Sequence, residues 1–517
     1  MGKRVAACTA VVALLVLPAA GNEGRGPTVT SIKTPSSPAA PPLAWQDCGY
    51  GFQCATLKVP LDYRQRNATQ IDIALIRRPA ENPGARIGSL ITNPGGPGAS
   101  GVEDLRNTAT GFPAEVRSRF DLVSFDPRGV GASTKVDCLD PPDLQAVLTL
   151  DASPDPPEKR DALIAGLQHL AEACQQRAGA LLRFVSTPNT ARDMDRIRAA
   201  LGDAKLSYVG YSYGTYLGAL YAQLFPKRVR ALVLDGAVMP QLGGEALLLD
   251  QATGYEHALQ AFFADCAARP DCPLASSGNP AAAFDELMAK IEREGIPAPA
   301  LGNRRIGPAQ AESTIPAMLT GGEPVWPALA TLLARAARGD ASGMLAVSDA
   351  VNMAIDAEAN SAIACSDLPL APSQGLQGVP PLIERARQVA PHFLFAVNGS
   401  ATACATWPIH PGRAPSLRAK GAPPIVVIGT RGDPATPFPW AEALARQLKS
   451  GVLLSAPGYS HTSFALAREG SEQLPIPAKT CIDDLVVQYL VNLQAPANGS
   501  SCVMMTPATP SLGSIQK

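Results

Sequence analysis

Val209-Gly210-Tyr211-Ser212-Tyr213-Gly214-Thr215 has the form G-x-S-x-G, set between a strand-like run, Leu206 to Val209, and a helix-like run, Tyr213 to Leu224. A strand that turns sharply into a helix holds the turning residue strained, with its side chain pushed outward. Gly210 and Gly214 flank that turn because a Cβ at either place would crowd it. Serine at the apex stands at the top of a sheet, over the start of a helix whose dipole favours negative charge. Leu217, Leu220 and Leu224 recur at helical spacing, and Phe225-Pro226 ends the run. The motif alone also fits a glycine-flanked turn serine, so its surroundings decide.

Upstream, Ser89 to Thr92 is a short apolar strand that runs into Asn93-Pro94-Gly95-Gly96-Pro97-Gly98-Ala99-Ser100-Gly101. Leu122 to Phe125 is another strand, ending in Asp126-Pro127-Arg128-Gly129, and Thr190 to Leu201 reads as an amphipathic helix. Ala231 to Leu234 follows the elbow as a further strand. Strands alternating with helices argue for a mostly parallel sheet covered on both faces. From 239 to 420 the pattern changes to Ala- and Leu-rich, helix-length segments with few strand-like runs, and strands resume at Pro424 to Gly429 and Gly451 to Ser455. We read 45–238 and 421–517 as two parts of one α/β core and 239–420 as a largely helical cap inserted between them, the rival being an independent second domain.

Gly96-Pro97-Gly98-Ala99-Ser100-Gly101 also matches G-x-G-x-x-G, with Asp126 near where a ribose-binding acid would stand. Pro97 removes a backbone N–H from a loop that would have to wrap a pyrophosphate. The reading preferred here turns the same loop into half of an oxyanion hole, its N–H groups aimed at the nucleophile.

A serine hydroxyl needs a base within reach. Of the histidines His169, His257, His392, His410 and His461, only the last lies on a small-residue loop directly after a late strand, in Pro457-Gly458-Tyr459-Ser460-His461. Asp433, in Gly429-Thr430-Arg431-Gly432-Asp433-Pro434, follows the preceding strand and would hold the imidazole's tautomer. The order Ser212, Asp433, His461 is that expected of α/β-hydrolases. Thr436, three residues after Asp433, has two readings, a hydrogen bond near the triad and, preferred, a cap on the helix opened by Pro437.

The chain resembles the secreted tripeptidyl aminopeptidases of actinobacteria, α/β-hydrolase serine peptidases related to prolyl aminopeptidases. The resemblance rests on CATLKVPLDY from Cys54, the NPGGPGASG loop, FDPRGVGAS from Phe125, VGYSYGTYLGALYAQLFP from Val209, VLDGAV from Val233, CATWP from Cys404, GTRGDPATP from Gly429 and HTSF from His461. It implies Ser212, Asp433 and His461 as a triad, with the N–H groups of Gly96 and Tyr213 as oxyanion hole and no cofactor or metal. Ser460 departs from the family, which usually carries glycine before the histidine, and Asn492-Leu493-Gln494-Ala495-Pro496 is less regular than the usual glycine-containing segment.

The resemblance also implies peptide substrates with a free N-terminus, whose ammonium needs a carboxylate partner. The cap offers Glu245, Asp250, Glu256 and Glu323, and the sequence does not choose among them. An esterase with the same triad and no amine anchor is the competing enzyme, and a non-catalytic envelope protein on the same scaffold is the third reading.

Composition sets the frame. With 44 basic and 45 acidic residues the net charge is −1, which leaves no electrostatic footprint for nucleic acid or an anionic membrane. Residues 1–21 read as a signal peptide, with Lys3 and Arg4 before an apolar run and Ala19-Ala20-Gly21 for cleavage. Residues 22–44 read as a Pro/Ser-rich tether. Cys8 leaves with the leader, and the remaining ten cysteines of an exported chain read as disulfides. Pairing neighbours gives Cys48–Cys54, Cys138–Cys174, Cys266–Cys272, Cys365–Cys404 and Cys481–Cys502. Zinc is disfavoured by the absence of C-x-x-C and of histidines at ligand spacing.

Overall fold

A computed structural model describes residues 43–502 apart from 66, 303, 412–414 and 466–479, and apart from the side chains of 276 and 277. The expected leader at 1–21, and the tether as far as residue 42, lie outside the described residues.

The strands in chain order are β1 (Gln46–Asp47), β2 (Gln53–Pro60), β3 (Gln70–Arg78), β4 (Gly88–Asn93), β5 (Phe120–Phe125), β6 (Leu206–Tyr211), β7 (Val229–Asp235), β8 (Ile296–Ala298), β9 (Arg304–Ile306), β10 (Ile425–Thr430), β11 (Gly451–Ala456) and β12 (Ser500–Ser501). All but β8 and β9 join one sheet, in the order β1-β2-β3-β5-β4-β6-β7-β10-β11-β12. Its first strands pair antiparallel, and from β5 to β12 every neighbour is parallel. Every residue of β4, β5 and β10 is buried, which is why these strands read as unbroken apolar runs. Side chains alternate across the sheet. Leu90, Leu122 and Val426 therefore enter one core cluster, while their neighbours Ile91, Val123 and Val427 enter the other.

The helices α1 (Gly101–Thr108), α2 (Ala114–Arg119), α3 (Pro141–Leu148), α4 (Pro157–Leu182), α5 (Thr187–Ala200) and α6 (Tyr213–Leu224) connect the strands up to β7. Between β7 and β10 come α7 (Gly244–Ala268), α8 (Pro280–Glu294), α9 (Pro308–Leu319), α10 (Trp326–Ala337), α11 (Ser342–Ala354), α12 (Ala357–Asp367), α13 (Val379–Val389) and α14 (Leu394–Thr406), with β8 and β9 as a short antiparallel hairpin. This stretch has an apolar cluster of its own, around Phe262, Leu329, Leu333 and Phe393. α15 (Phe438–Gln447) and α16 (Cys481–Asn492) complete the chain. All five expected disulfides are formed. No described helix is long and apolar enough to cross a membrane.

The topology collects the carboxyl ends of β4, β6, β7, β10 and β11 along one edge. Register puts Asn93 beside Gly210, Tyr211 beside Asp235, and Thr430 beside Ala456. Open α/β sheets place their sites at that edge.

Candidate active site

Ser212 stands between β6 and α6 with φ 53° and ψ −124°, a left-handed backbone that a non-glycine residue adopts only under strain. The neighbouring glycines make the turn fit. A Cβ on Gly210 would lie 2.3 Å from the Gly214 carbonyl oxygen, and one on Gly214 would lie 2.7 Å from that of Asn93. The Ser212 N–H donates to the Asp235 carbonyl at 2.9 Å, which fixes the turn to the next strand. The Ser212 hydroxyl makes no hydrogen bond with any described residue.

Asp433 and His461 meet directly. The histidine Nδ1 lies 3.0 Å from each carboxylate oxygen, so it donates its proton there and leaves Nε2 free. The backbone N–H groups of Ala435 and Thr436 donate to Asp433 Oδ1 at 2.9 Å, and the Thr436 hydroxyl donates to Oδ2 at 2.8 Å. Thr436 thus serves the carboxylate and does not cap the helix: α15 begins at Phe438 with Pro437 in the cap position, so Thr436 stands one residue too early to cap it. Burial drags the His461 imidazolium down, yet the charge and hydrogen bond of Asp433 outweigh it, with Asp235 adding its charge. The pKa rises above the ordinary 6.5.

Asp235, which the sequence reading passed over, joins the serine turn to the histidine loop. Its carbonyl takes the Ser212 N–H, and its Oδ2 takes the N–H groups of Ser463 and Phe464, both at 2.8 Å. Its other oxygen is buried without a partner. Burial pushes this carboxyl up to about 7 against those two N–H bonds. Its place in the VLDGAV motif at a strand end was the available signal.

Gly96, Pro97, Ser212, Tyr213 and Thr436 line one pocket, whose remaining walls include Leu247, Gln251, Asn360, Ala364 and Trp440. Gly96 and Tyr213 therefore stand beside the serine, with Tyr213 in the first helical turn, where N–H groups have no intrahelical partner. Asp126, the rival ribose acid, is fully engaged by the chain itself. Ser100 Oγ and the Val102 N–H donate to Oδ1 at 2.6 and 3.0 Å, and the Ala132 N–H donates to Oδ2 at 2.8 Å.

Among the described residues no charged side chain lines the pocket. Among the acids considered for a substrate ammonium, Glu245 pairs with Arg385, and Asp250 accepts from Trp440 Nε1 at 2.9 Å. Glu256 accepts from Gln260 and from His392, and Glu323 accepts the Tyr459 N–H at 3.1 Å. Among the described residues no group of three or more His, Cys, Asp or Glu side chains could hold a metal ion.

The stretch between β7 and β10 touches each loop of the site. The Asp356 N–H donates to the Gly98 carbonyl at 3.1 Å, and Asn360 Nδ2 donates to the Pro97 carbonyl at 2.7 Å. Gln251 Nε2 donates to the Ala435 carbonyl at 2.7 Å. The His461 N–H donates to the Thr320 carbonyl at 2.8 Å. Ser460, the departure from the family pattern, fits because Gly322 packs on it: a Cβ at 322 would come within 2.7 Å of the Ser460 nitrogen.

Two family models match the chain, "alpha/beta hydrolase fold" over residues 88–283 and "TAP-like protein" over residues 393–502. The serine protease Hip1 of Mycobacterium tuberculosis is 34% identical over 89% of this chain and 91% of its own. The tripeptidyl aminopeptidase of Streptomyces lividans is 30% identical over 93% and 89%. A Mycobacterium tuberculosis protein named carboxylesterase B is 34% identical over 91% and 92%.

Proposed function

Because the chain belongs to the tripeptidyl-aminopeptidase-like family of α/β-hydrolases, we propose that it is a serine exopeptidase releasing short peptides, tripeptides foremost, from free N-termini. Ser212 Oγ attacks the scissile carbonyl as His461 Nε2 takes its proton, with Asp433 holding the imidazole and stabilising its charge. The oxyanion forms on the N–H groups of Gly96 and Tyr213. His461 then protonates the leaving amine, and water resolves the acyl-enzyme on Ser212.

The observation that carries the reading is the pocket itself. Its walls come from the core and from residues 239–420, read here as the cap, and on this reading the cap leaves room for a chain end. The relatives named as serine protease and tripeptidyl aminopeptidase agree with it. The enzyme is taken to be exported: the expected leader and the five disulfides both suit an oxidising compartment. A carboxylesterase is the second reading, favoured by the uncharged lining beside Ser212 and by the relative named for that activity.

Fluorogenic tripeptide amides with a free N-terminus, the same peptides N-acetylated, and a short p-nitrophenyl ester separate the two. Turnover confined to the free-amine peptides is the expected result. Equal rates after acetylation, or turnover of the ester alone, would establish the esterase.

A further inference from the structure

Residues of α8 and α9 and of 391–395 line, with Ser153, a second, half-open cavity of about 250 Å³ that shares no residue with the pocket beside Ser212. Phe284, Met288, Ile291, Ile315, Phe393 and Phe395 give it an apolar wall, and Glu312, Glu292 and His392 add ionisable groups. Two of these three are already compensated. His392 places Nδ1 2.8 Å from Glu256 and Nε2 3.1 Å from Asp285, and the Glu256 hydrogen bond, above all, raises its pKa and favours the imidazolium. Glu292 pairs with Lys159, which also meets Asp151 at 2.6 Å.

Glu312 is the exception. It has only neutral donors, Ser153 Oγ at 3.2 Å and the Ala152 N–H at 3.4 Å. Part of the residue stays open to solvent, but its carboxyl sits deep enough that burial, then the nearby Asp151 charge, pushes it up to about 8. Glu312, Glu292 and His392 are the ionisable side chains of the lining, and Asp151, Glu256, Asp285 and Lys159 stand behind them as their partners. Lys159 offsets part of the rise at Glu312 from a distance, without a hydrogen bond to it. An apolar cavity holding a carboxyl with no cationic hydrogen-bond partner is complementary to a cation on an apolar body; aromatic walls favour the same ligand.

We propose that this cavity binds a small apolar amine, a primary ammonium on an aryl or alkyl body, with Glu312 accepting from the ammonium and the phenylalanine wall holding the body. The proposal is independent of the reaction at Ser212. Below about pH 8 the carboxyl must lose a proton to receive the ammonium, so affinity rises with pH, approaching roughly tenfold per unit, until Glu312 is ionised in the free protein as well.

The test is calorimetric titration of the full chain with 2-phenylethylamine after phenylmethylsulfonyl fluoride has blocked the catalytic serine. Saturable one-to-one binding is expected, accompanied by proton release and strengthening from pH 6 to pH 8. 2-Phenylethanol and the Glu312→Gln variant should each show binding weaker by about tenfold or more, in line with the loss of a charge-assisted hydrogen bond. Ala311→Leu, which fills the cavity and leaves Glu312 in place, should weaken binding too and serves if Glu312→Gln does not fold. Absence of saturable binding, equal affinity for the alcohol, or binding removed by blocking the serine overturns the proposal.

Discussion

At the scale of single residues, the site rests on a carboxylate with four donors and a histidine it keeps protonated to higher pH. A raised His461 pKa means that the base becomes available only above the ordinary 6.5. The kcat/KM profile should therefore show an acidic limb above that value. Asp235, with its carboxyl at about 7 and so only partly ionised there, adds a lesser negative charge near the imidazole, and Asp235→Asn should move the limb slightly to lower pH; a limb at or below 6.5 in the parent, or one moved to higher pH in the variant, contradicts the electrostatics described. Thr436→Val removes a hydroxyl bonded to a charged group, an interaction worth about 1.5–3 kcal/mol. Steady-state kinetics should show kcat reduced by roughly 10–100-fold with KM little changed. A motif in linear sequence places Ser212, Asp433 and His461 after strands, and it did so here. The role of Thr436 turns on α15 starting one residue later than the sequence suggests, with Pro437 and not Thr436 in the cap position, and a boundary shift of one residue is not legible before the chain folds.

At the scale of elements, the contact between α7 and the acid loop offers the sharpest test of the idea that residues 239–420 hold the site in shape. A Cβ on Gly254 would lie 2.6 Å from the Pro434 carbonyl oxygen. Gly254→Val should push α7 from the loop, lowering stability by about 1–3 kcal/mol, as overpacking does, and lowering kcat/KM with it. Gly179, inside α4 with open space around it, is the control: Gly179→Ala should stabilise by about 0.5–1 kcal/mol through helix propensity and leave activity unchanged. Equal activity in both variants would disconnect α7 from the chemistry. The buried parallel strands and the amphipathic helix α5 were legible because their apolar residues follow a period. α12 and α14 were not. Ala357–Asp367 and Leu394–Thr406 are small-residue helices buried on more than one face, with Gly399 inside the second, so no apolar stripe marks them. α9 is obscured by Pro316 within it, and the three-residue strands β8 and β9 are too short for alternation to show.

At the scale of the molecule, one buried ion pair ties distant parts of the core. The Arg128 guanidinium donates to both oxygens of Asp193 on α5 at 2.6 Å, and also to the carbonyls of Pro60, Leu61 and Phe184. Both partners are fully buried. Arg128→Ala would strand the Asp193 charge, and chemical or thermal unfolding should show a loss of about 3–5 kcal/mol; a loss below 1 kcal/mol would mean that the pair is not structural. Neighbour-to-neighbour pairing of the cysteines was legible from chain order alone, whereas the docking of residues 239–420 onto three separate loops was not, since it depends on contacts between residues up to 263 positions apart. The claim on which the rest depends is that Ser212 is the activated nucleophile, and intact-mass analysis after diisopropyl fluorophosphate, with peptide mapping, tests it most directly. One adduct per chain, on Ser212, appearing in step with loss of hydrolysis and absent from Ser212→Ala, is the predicted result. An adduct on another residue, or full activity in the modified or the Ser212→Ala protein, would contradict it.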